Sequence, residues 1–324
     1  MNDFSIQTSE DPTARVERII NAAQTLQKMN GWSNAEVARR SEIAGATYSE
    51  FINWRYKGNL QKICDKLSAW IAAEEHAFET RSAQLADIGF VETSCSRKVI
   101  TALKFAQSRP CMVTITLGSG LGKTMTLNWF AANNPHATRV VIEPVEGKPR
   151  PAIRKIAAAY GIYGHTTAVL MSHLKDRIRR EGGRQPLLMI DEAQNLTDEA
   201  VNQLRFLLDE CGCGLALSGN QDLMTRYAVG ATREGYGQIH RRIFMRVYIK
   251  VAPKADIDLL LDRLDITDAK ARQYGHHIAQ RPGGFGQMVD TLQLASLNAY
   301  SHGRLLSADD VREAWGNRSN EELR

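Results

Sequence analysis

Short apolar runs alternate with amphipathic stretches along the middle of the chain. From about residue 95 onward the amphipathic stretches carry apolar residues every three or four positions, which is the spacing of one helix face. Between them lie strand-like runs at residues 112–117, 139–142, 187–190, 215–217 and 247–251. Such alternation predicts a parallel five-stranded sheet between helices.

Both ends of the chain show helical spacing only. Residues 13–80 contain no strand-like run, and from Lys254 to Trp315 the spacing is again helical. The pattern therefore predicts an α/β fold in three parts. These are an N-terminal all-α domain over residues 1–80, an α/β core over 81–252, and a C-terminal helical region over 253–324.

The N-terminal domain has the spacing of a helix-turn-helix. Ser33-x-x-Glu36 has the residue types of a capping box, and it predicts a helix over 35–41. A turn over 42–45 and a second helix over 46–54 follow. The apolar residues spaced to pack the two helices together are Val37, Ala38, Ile43, Tyr48, Phe51 and Ile52. In helix-turn-helix proteins the second helix enters the DNA major groove.

The exposed face of that second helix leaves its role open. It would present Thr47, Ser49, Glu50, Asn53 and Arg55. Arg55 and Lys57 lie near its end, where they would meet phosphates. Because the set includes Glu50 and is not strongly basic, the alternative is a helical bundle that contacts protein.

Composition and charge are those of an ordinary folded protein. The 324 residues are 43% hydrophobic and 24% charged, which excludes the disordered and fibrous classes. A net charge of +5 permits nucleic-acid binding without requiring it. The start of the chain has no apolar signal segment, and no apolar run reaches the roughly 20 residues of a membrane span. Five scattered cysteines without zinc-site spacing favour reduced thiols and a cytoplasmic location.

The stretch TLGSGLGKT, residues 116–124, departs at one position from a phosphate-binding P-loop. The pattern G-x-x-x-x-G-K-[ST] requires glycine where this chain has Leu117. A strand, a glycine-rich turn and a following helix are nevertheless all predicted, and Gly118 can supply the permissive backbone. We therefore expect a working site. The residues predicted to contact nucleotide are Gly118, Ser119, Gly120, Leu121, Gly122, Lys123, Thr124, Met125 and Asp191.

A second element makes a chance match to the P-loop pattern a poor explanation. Residues 186–192 form an apolar strand that ends in Asp191 and Glu192. Lys123 would reach the β- and γ-phosphates of ATP, and Thr124 and Asp191 would hold Mg²⁺. Glu192 would polarise the attacking water. The alternative, a strand that merely ends in a solvated acidic turn, does not account for the Gly-Lys-Thr loop that precedes it.

Two further positions suit phosphate chemistry. Asn220 follows the next strand and would place a polar amide beside the γ-phosphate and the catalytic water. Arg241 and Arg242 precede the last strand, and one of them could reach a neighbouring subunit's site as an arginine finger. Arg242 is the predicted finger, and ordinary surface charge or DNA contact is the alternative for both.

With these residues in place, the chain resembles the AAA+ ATPases, and among them the phage Mu B transposition proteins. The Gly-Lys-Thr loop and the Asp-Glu pair are shared by AAA+ proteins in general. The narrower resemblance is carried by VARRSEI at 37–43 and FINWRYKG at 51–58, and in the core by FVET at 90–93, IDEA at 190–193, GLALSGN at 214–220 and KAD at 254–256. The resemblance implies an AAA+ core, an N-terminal helix-turn-helix domain and a C-terminal helical lid.

The resemblance also implies a function. It implies an ATP-dependent protein that binds double-stranded DNA without sequence preference and self-associates on target DNA as a helical filament. Such a protein recruits and activates a DDE transposase in the cytoplasm of a bacterial host, and ATP lies between its subunits. Two departures are Leu117 in the loop and Gln287 where a sensing arginine is often found in the lid, so slow hydrolysis is expected.

Nonspecific DNA binding depends on phosphate neutralisation. The predicted DNA surface is Lys148, Arg150, Arg154 and Lys155, in a region held extended by prolines. A second basic cluster consists of Lys175, Arg177, Arg179, Arg180 and Arg184, but interleaved acids make a solvated helix face nearly as good an explanation.

Two other functions share parts of this pattern. A replication initiator or helicase loader has the same core but should carry a sequence-specific C-terminal DNA module, for which residues 303–324 are too short. A transcriptional regulator would bind one operator through residues 33–58 alone and use ATP only as a signal. ATP-dependent binding to any duplex distinguishes the predicted function from both.

Overall fold

The computed structural model describes residues 12–86, 88–180, 185–227, 237–302, 304–319 and 323. The chain divides into two compact units. The first is drawn from Met1–Ile88, Asp268–Ala271 and Thr291–Arg324, and the second from Gly89–Thr267 and Arg272–Asp290. The domain boundaries at 80/81 and 252/253 stay a prediction.

Four helices open the first unit. They are α1 (Pro12–Asn30), α2 (Asn34–Arg40), α3 (Gly45–Ile52) and α4 (Leu60–Ala86). Their shared core consists of apolar side chains spaced along each helix, among them Ile19, Val37, Ile43, Tyr48, Phe51, Leu67 and Trp70. Burial of such side chains is the main term that stabilises a helical unit of this size.

The helix-turn-helix begins as predicted, but with half of a capping box. The Ser33 hydroxyl accepts a hydrogen bond from the Glu36 amide at 3.2 Å. The Glu36 carboxylate does not return the bond to Ser33, because it accepts from the guanidinium groups of Arg39 and Arg40 instead. The second helix ends two residues earlier than predicted, and Trp54 beyond it has a left-handed φ of 58°.

The second unit is built on five parallel strands. They are β1 (Met112–Leu117), β2 (Ala137–Val141), β3 (Leu187–Asp191), β4 (Gly214–Gly219) and β5 (Ile243–Ile249). Their order in the sheet is β2-β3-β4-β1-β5, and every pairing is parallel. Strand β1 is buried along its whole length because strands flank it on both sides and helices cover its faces.

The helices of this unit are α5 (Ser94–Ser108), α6 (Lys123–Asn133), α7 (Pro149–Ala159), α8 (Thr167–Arg180), α9 (Asp198–Cys211), α10 (Gln221–Arg226) and α11 (Gly237–His240). Helices α5 and α6 pack together, and α7 packs against both α8 and α9. The connection from β1 leads toward one edge of the sheet, whereas the connections from β2, β3 and β4 lead back the other way. Because parallel crossovers are right-handed, this reversal puts the two helix groups on opposite faces.

The reversal also locates the site. In open parallel sheets, ligands bind beyond the carboxyl ends of strands where the direction of connection changes. Strands β1 and β4 are neighbours, and the connections that follow them run toward opposite edges of the sheet. The glycine-rich loop follows β1, the Asp-Glu pair ends β3, and Asn220 follows β4, so all three meet at one edge.

Four more helices complete the chain: α12 (Lys254–Arg263), α13 (Ala269–Ala279), α14 (Gly284–Ser301) and α15 (Ala308–Ser319). Asp256 of α12 is buried and caps the start of α5, where its carboxylate accepts from the Ser94 and Cys95 amides at 2.8 and 3.1 Å. Burial acts to raise the pKa of Asp256, but these hydrogen bonds outweigh it and hold the pKa below its usual value. The segments around residues 93 and 256 singled out by the resemblance therefore meet in space.

None of the helices described is long and apolar enough to cross a bilayer. All five cysteines are free thiols, with Cys64, Cys95 and Cys213 buried. Burial and the neighbouring Asp256 raise the pKa of the Cys95 thiol to about 12, so it is protonated at neutral pH.

Candidate nucleotide-binding site

The leucine that interrupts the P-loop pattern belongs to the sheet. Leu117 is buried in β1, opposite Ile249 of β5. The next amide, that of Gly118, donates to the carbonyl of Ile249 at 2.8 Å and so continues the ladder. A leucine fits here because the backbone is still extended and the side chain enters the core. The loop begins one residue later than the sequence pattern suggests.

Glycine is required at three positions of the loop for two different reasons. A Cβ atom on Gly118 would collide with the carbonyl oxygen of Lys250, although Gly118 has no positive φ. Gly120 and Gly122 have φ values of 72° and 78°, which side-chain-bearing residues adopt at a cost. Gly118 therefore allows a close approach of β5, and the other two glycines turn the chain into α6.

The backbone amides of the loop differ in whether they already have an acceptor within the protein. Gly118 and Leu121, both predicted nucleotide contacts, already donate within the protein, to Ile249 and to Gly118. Five further amides have no backbone acceptor among the described residues: those of Ser119, Gly120, Gly122, Lys123 and Thr124. Because they precede or open the eleven-residue helix α6, its dipole adds to their attraction for an anion. Met125, the last predicted contact, is half exposed in the first turn of α6.

Four predicted side chains come together beside this loop. The Thr124 hydroxyl donates to Asp191 Oδ2 at 3.2 Å, and Lys123 Nζ lies 3.5 Å from Glu192 Oε1. Asp191 is 1% exposed, whereas Glu192 is about half-buried at the rim. The two acids thus differ in burial and in their partners, and the separate roles in metal binding and water activation stay predictions.

Two residues that sequence reasoning missed also bind Asp191. Arg139 of β2 donates from its Nη2 atom to Asp191 Oδ2 at 2.7 Å, and the Ser218 hydroxyl of β4 donates to Oδ1 at 3.2 Å. The only sign of Arg139 in the sequence is a charged residue at the start of an apolar run, which solvent exposure would explain equally well. Spacing along the chain could not reveal either contact, because each partner lies on a different strand.

Glu192 is held in an uncommon backbone conformation. Its φ and ψ are 55° and 37°, a left-handed geometry that costs a residue with a side chain about 1–2 kcal/mol. Gln194 donates from Nε2 to Glu192 Oε2 at 2.5 Å, and its Oε1 accepts from the Asn220 amide at 3.3 Å. A Cβ atom on Gly219 would lie 2.5 Å from Gln194 Oε1, so glycine there leaves room for this link. Backbone strain that surrounding contacts maintain is common where a side chain must be aimed.

The structure places Asn220 at the carboxyl end of β4, as predicted, with its side chain capping α10. Its Oδ1 accepts from the Asp222 amide at 2.9 Å, and its Nδ2 donates to the Asp222 carboxylate at 3.1 Å. Its backbone amide is the group linked to Glu192 through Gln194. The catalytic role of Asn220 stays a prediction.

The two candidate fingers differ in their surroundings. Arg242 donates from Nε to Asp209 Oδ1 of α9 at 2.6 Å and is about a third exposed. Arg241 is exposed and forms no ion pair with the part of the chain that the structure describes. Of the two, Arg241 therefore has the guanidinium that is free to meet another subunit.

The lid segment rests directly on the loop. The Gly286 amide donates to the Gly120 carbonyl at 3.1 Å. A Cβ atom on Gly120 would collide with the carbonyl of Gly283, and one on Gly284 would come within 2.9 Å of the Ser119 carbonyl. Gln287 lies in the first turn of α14, and its predicted place in the role of a sensing arginine stays a prediction.

The predicted DNA surface is divided by ion pairing. Lys148, Arg150 and Arg154 are exposed and form no ion pair with any described residue. Lys155 is bound to the carboxylates of Glu143 and Glu146, at 3.3 and 2.9 Å.

The second basic cluster is more fully neutralised. Lys175 and Arg179 both bind Glu210, at 2.9 and 3.4 Å, and Arg179 also lies 3.6 Å from Asp176. Arg184 lies outside the described residues. Lys175 and Arg179 are thus paired, whereas three of the four cations of the first cluster form no ion pair with any described residue.

The oxygen atoms beside the loop fit Mg²⁺. Among the described residues no cluster of three acidic, histidine or cysteine side chains could hold a metal by protein ligands alone. Mg²⁺ binds nucleotide sites through one or two protein oxygens together with phosphate and water. The Thr124 hydroxyl and the Asp191 carboxylate are hard oxygen donors next to each other at the helix start.

Two family models match the chain. Residues 108–226 match the AAA domain, which spans β1 to α10 and includes all of the site except the lid contact. Residues 241–317 match the C-terminal part of the Mu B transposition protein.

Curated relatives match over most of their length. The chain is 29% identical over 263 residues to the Mu-like prophage FluMu DNA transposition protein B of Haemophilus influenzae, covering 80% of this chain and 90% of that one. It is 26% identical over 282 residues to the ATP-dependent target DNA activator B of Escherichia phage Mu, covering 86% and 88%. Among solved structures, the match to a Walker-type ATPase of Pyrococcus abyssi covers 71% of this chain and 73% of that chain, at 13% sequence identity and a TM-score of 0.49.

Proposed function

Because this chain is an AAA+ ATPase that resembles the phage Mu transposition protein B, we propose that it is an ATP-dependent activator of target DNA in transposition. It binds double-stranded DNA without sequence preference, self-associates on it as a helical filament, and recruits and activates a DDE transposase. Its place of action is the cytoplasm of a bacterial host. One observation carries the proposal: the P-loop residues Lys123 and Thr124 lie against Asp191 and Glu192 in a chain with relatives, matched over most of its length, that are named ATP-dependent target DNA activators.

The residues of the site divide the work of ATP hydrolysis. The loop amides and Lys123 bind the phosphates, and Glu192 takes a proton from the attacking water. Thr124 and Asp191 would hold Mg²⁺, and the metal would supply positive charge that stabilises the phosphate oxygens. Gln287 brings no positive charge to the γ-phosphate, and Glu192 is shared with Gln194 and Lys123. Slow hydrolysis, stimulated by DNA or transposase, follows from both features.

The start of α7 supplies the DNA surface in this proposal. A helix start usually offers its own amides to phosphate, but Pro149 and Pro151 have no N–H group. Binding at this point therefore depends on the side-chain cations Lys148, Arg150 and Arg154, which attract the backbone of any duplex equally. This supports binding without sequence preference.

The proposal is tested by binding to random-sequence duplexes in the presence of ATP, ADP or no nucleotide. Tight binding is expected with ATP alone, and it should be lost in the Lys123→Ala variant, because that variant cannot bind the phosphates. An electrophoretic shift assay, with electron microscopy of the complexes, measures both binding and filament formation. Tight binding to a single sequence without nucleotide would instead indicate a transcriptional regulator.

Replacing Lys148, Arg150 and Arg154 together by alanine should weaken binding to all duplexes alike. The slope of log affinity against log salt concentration should fall by about one unit for each phosphate that is no longer neutralised. Lys155→Ala is the matched control, and we expect it to change the slope little because Lys155 is already bound to two glutamates. Equal slopes for the triple variant and the wild type would exclude this surface.

A further inference from the structure

The ion pair between Arg139 and Asp191 has no assigned role in the chemistry above. We propose that Arg139 is a positioning residue that holds the Asp191 carboxylate in place before a metal binds, and that its contact with the Oδ2 atom sets the Mg²⁺ concentration at which the site takes up ATP. This inference rests on the proposed function, since it concerns the same nucleotide site.

The surroundings of Asp191 explain why a counter-charge is needed. The carboxylate is 1% exposed and belongs to the last residue of strand β3. Its Oδ1 atom accepts from the Ser218 hydroxyl and the Glu192 amide, at 3.2 and 3.1 Å. These donors are neutral, and a carboxylate that is buried without an opposite charge destabilises the fold. Arg139 is the cation that contacts it directly, at 2.7 Å.

Arg139 is itself held in a fixed position. Its Nη1 atom donates to Asn128 Oδ1 of α6 at 2.7 Å while Nη2 donates to Asp191. Its side chain is only 19% exposed. The guanidinium thus joins β2, α6 and β3 through two directed hydrogen bonds, unlike the solvated ion pairs on the helix surfaces, whose contribution is small.

The contact also places Arg139 in competition with a cation. Asp191 Oδ2 accepts from both Thr124 and Arg139, so the metal's two candidate protein ligands meet at the atom that Arg139 occupies. A divalent cation that binds this oxygen must share it with the guanidinium or displace it. Like charges so close together repel, so Arg139 weakens metal binding while it stabilises the metal-free carboxylate. Removing Arg139 should therefore lower the stability of the metal-free protein but strengthen metal binding, and the two changes can be measured separately.

The first test measures thermal unfolding of the full chain without nucleotide, with and without MgCl₂. Arg139→Gln should lower the melting temperature in the absence of Mg²⁺, and MgCl₂ should restore part of it, while the wild type responds little. The decrease should be much smaller when Asp191→Asn is also present, because the neutral amide needs no counter-charge. Arg263→Gln, which removes an exposed arginine of α12, should change neither value. Additive effects of Arg139→Gln and Asp191→Asn would overturn the proposal.

The second test titrates Mg²⁺ against binding of a fluorescent ATP analogue. Half-maximal binding should need several-fold less Mg²⁺ in Arg139→Gln than in the wild type, and Arg139→Lys should lie between them. An unchanged midpoint in both variants would overturn the proposal. Should the glutamine variant not fold, Arg139→Lys is carried through both tests with the same expected directions. A wild type that binds no ATP would refute the proposed function, whereas the unfolding cycle without nucleotide would still decide the role of Arg139.

Discussion

Replacing Glu192 by glutamine is expected to lower the rate of ATP hydrolysis by about 10²–10⁴-fold, the contribution of a positioned general base. Nucleotide binding should remain, because the amide keeps the shape of the side chain and its oxygen still accepts the hydrogen bond from Gln194. Phosphate release in the presence of DNA measures the first effect, and fluorescent-nucleotide binding measures the second. Assemblies on DNA should consequently outlast those of the wild type.

A matched control separates this loss of activity from general damage. Glu313→Gln removes an exposed carboxylate of α15 and should leave both hydrolysis and binding unchanged. The role assigned to Glu192 would be wrong if its glutamine variant hydrolysed ATP at the wild-type rate. Weak nucleotide binding by that variant would indicate instead that the carboxylate mainly places Lys123, 3.5 Å away.

Removal of the predicted arginine finger is expected to have the second large effect, a decrease of about 10³-fold or more in hydrolysis on DNA. The sequence favoured Arg242, but its ion pair with Asp209 within the same chain moves our expectation to the unpaired Arg241. Arg241→Ala should therefore abolish DNA-stimulated hydrolysis while leaving nucleotide binding intact. Arg242→Ala should have a smaller effect, because it removes only the ion pair that holds this arginine against α9.

Mixing two inactive variants tests whether the arginine acts on a neighbour. Lys123→Ala cannot bind ATP but still presents Arg241, whereas Arg241→Ala binds ATP but presents no finger. Mixed assemblies should regain part of the hydrolysis that each variant lacks alone, because some interfaces pair an intact site with an intact arginine. No recovery in the mixture, or full activity of Arg241→Ala alone, would rule out this residue as the finger.

The sequence predicts those parts of the molecule that depend on neighbours along the chain. Strands β1, β2, β3 and β4 are found within about two residues of the predicted apolar runs. The pattern is clearest for β1, β3 and β4, because these strands are buried along their whole length and are therefore largely apolar. Strand β5 begins at Ile243, four residues before the run at 247–251, because the charged Arg246 interrupts the apolar pattern. The P-loop and the Asp-Glu pair were likewise visible, since each is a local motif.

What the sequence does not predict depends on contacts between distant segments. Arg139 reaches Asp191 across adjacent strands, and Gln194 joins Glu192 to Asn220 across two loops. Glu36 illustrates the same limit at short range. Its residue type suits a capping box, but two arginines within one turn compete for its carboxylate, and charge-assisted bonds are the stronger ones.

The meeting of Gly120 with Gly283 and Gly284 has a mechanical consequence. Main chain lies against main chain there, so no rotamer change exists that could absorb a shift of one segment relative to the other. A displacement of the loop by a fraction of an ångström must be matched at the first turn of α14, or the Gly286–Gly120 hydrogen bond must break. A substitution at Gly120 or Gly284 would add a side chain at this contact and would consequently force the two segments apart.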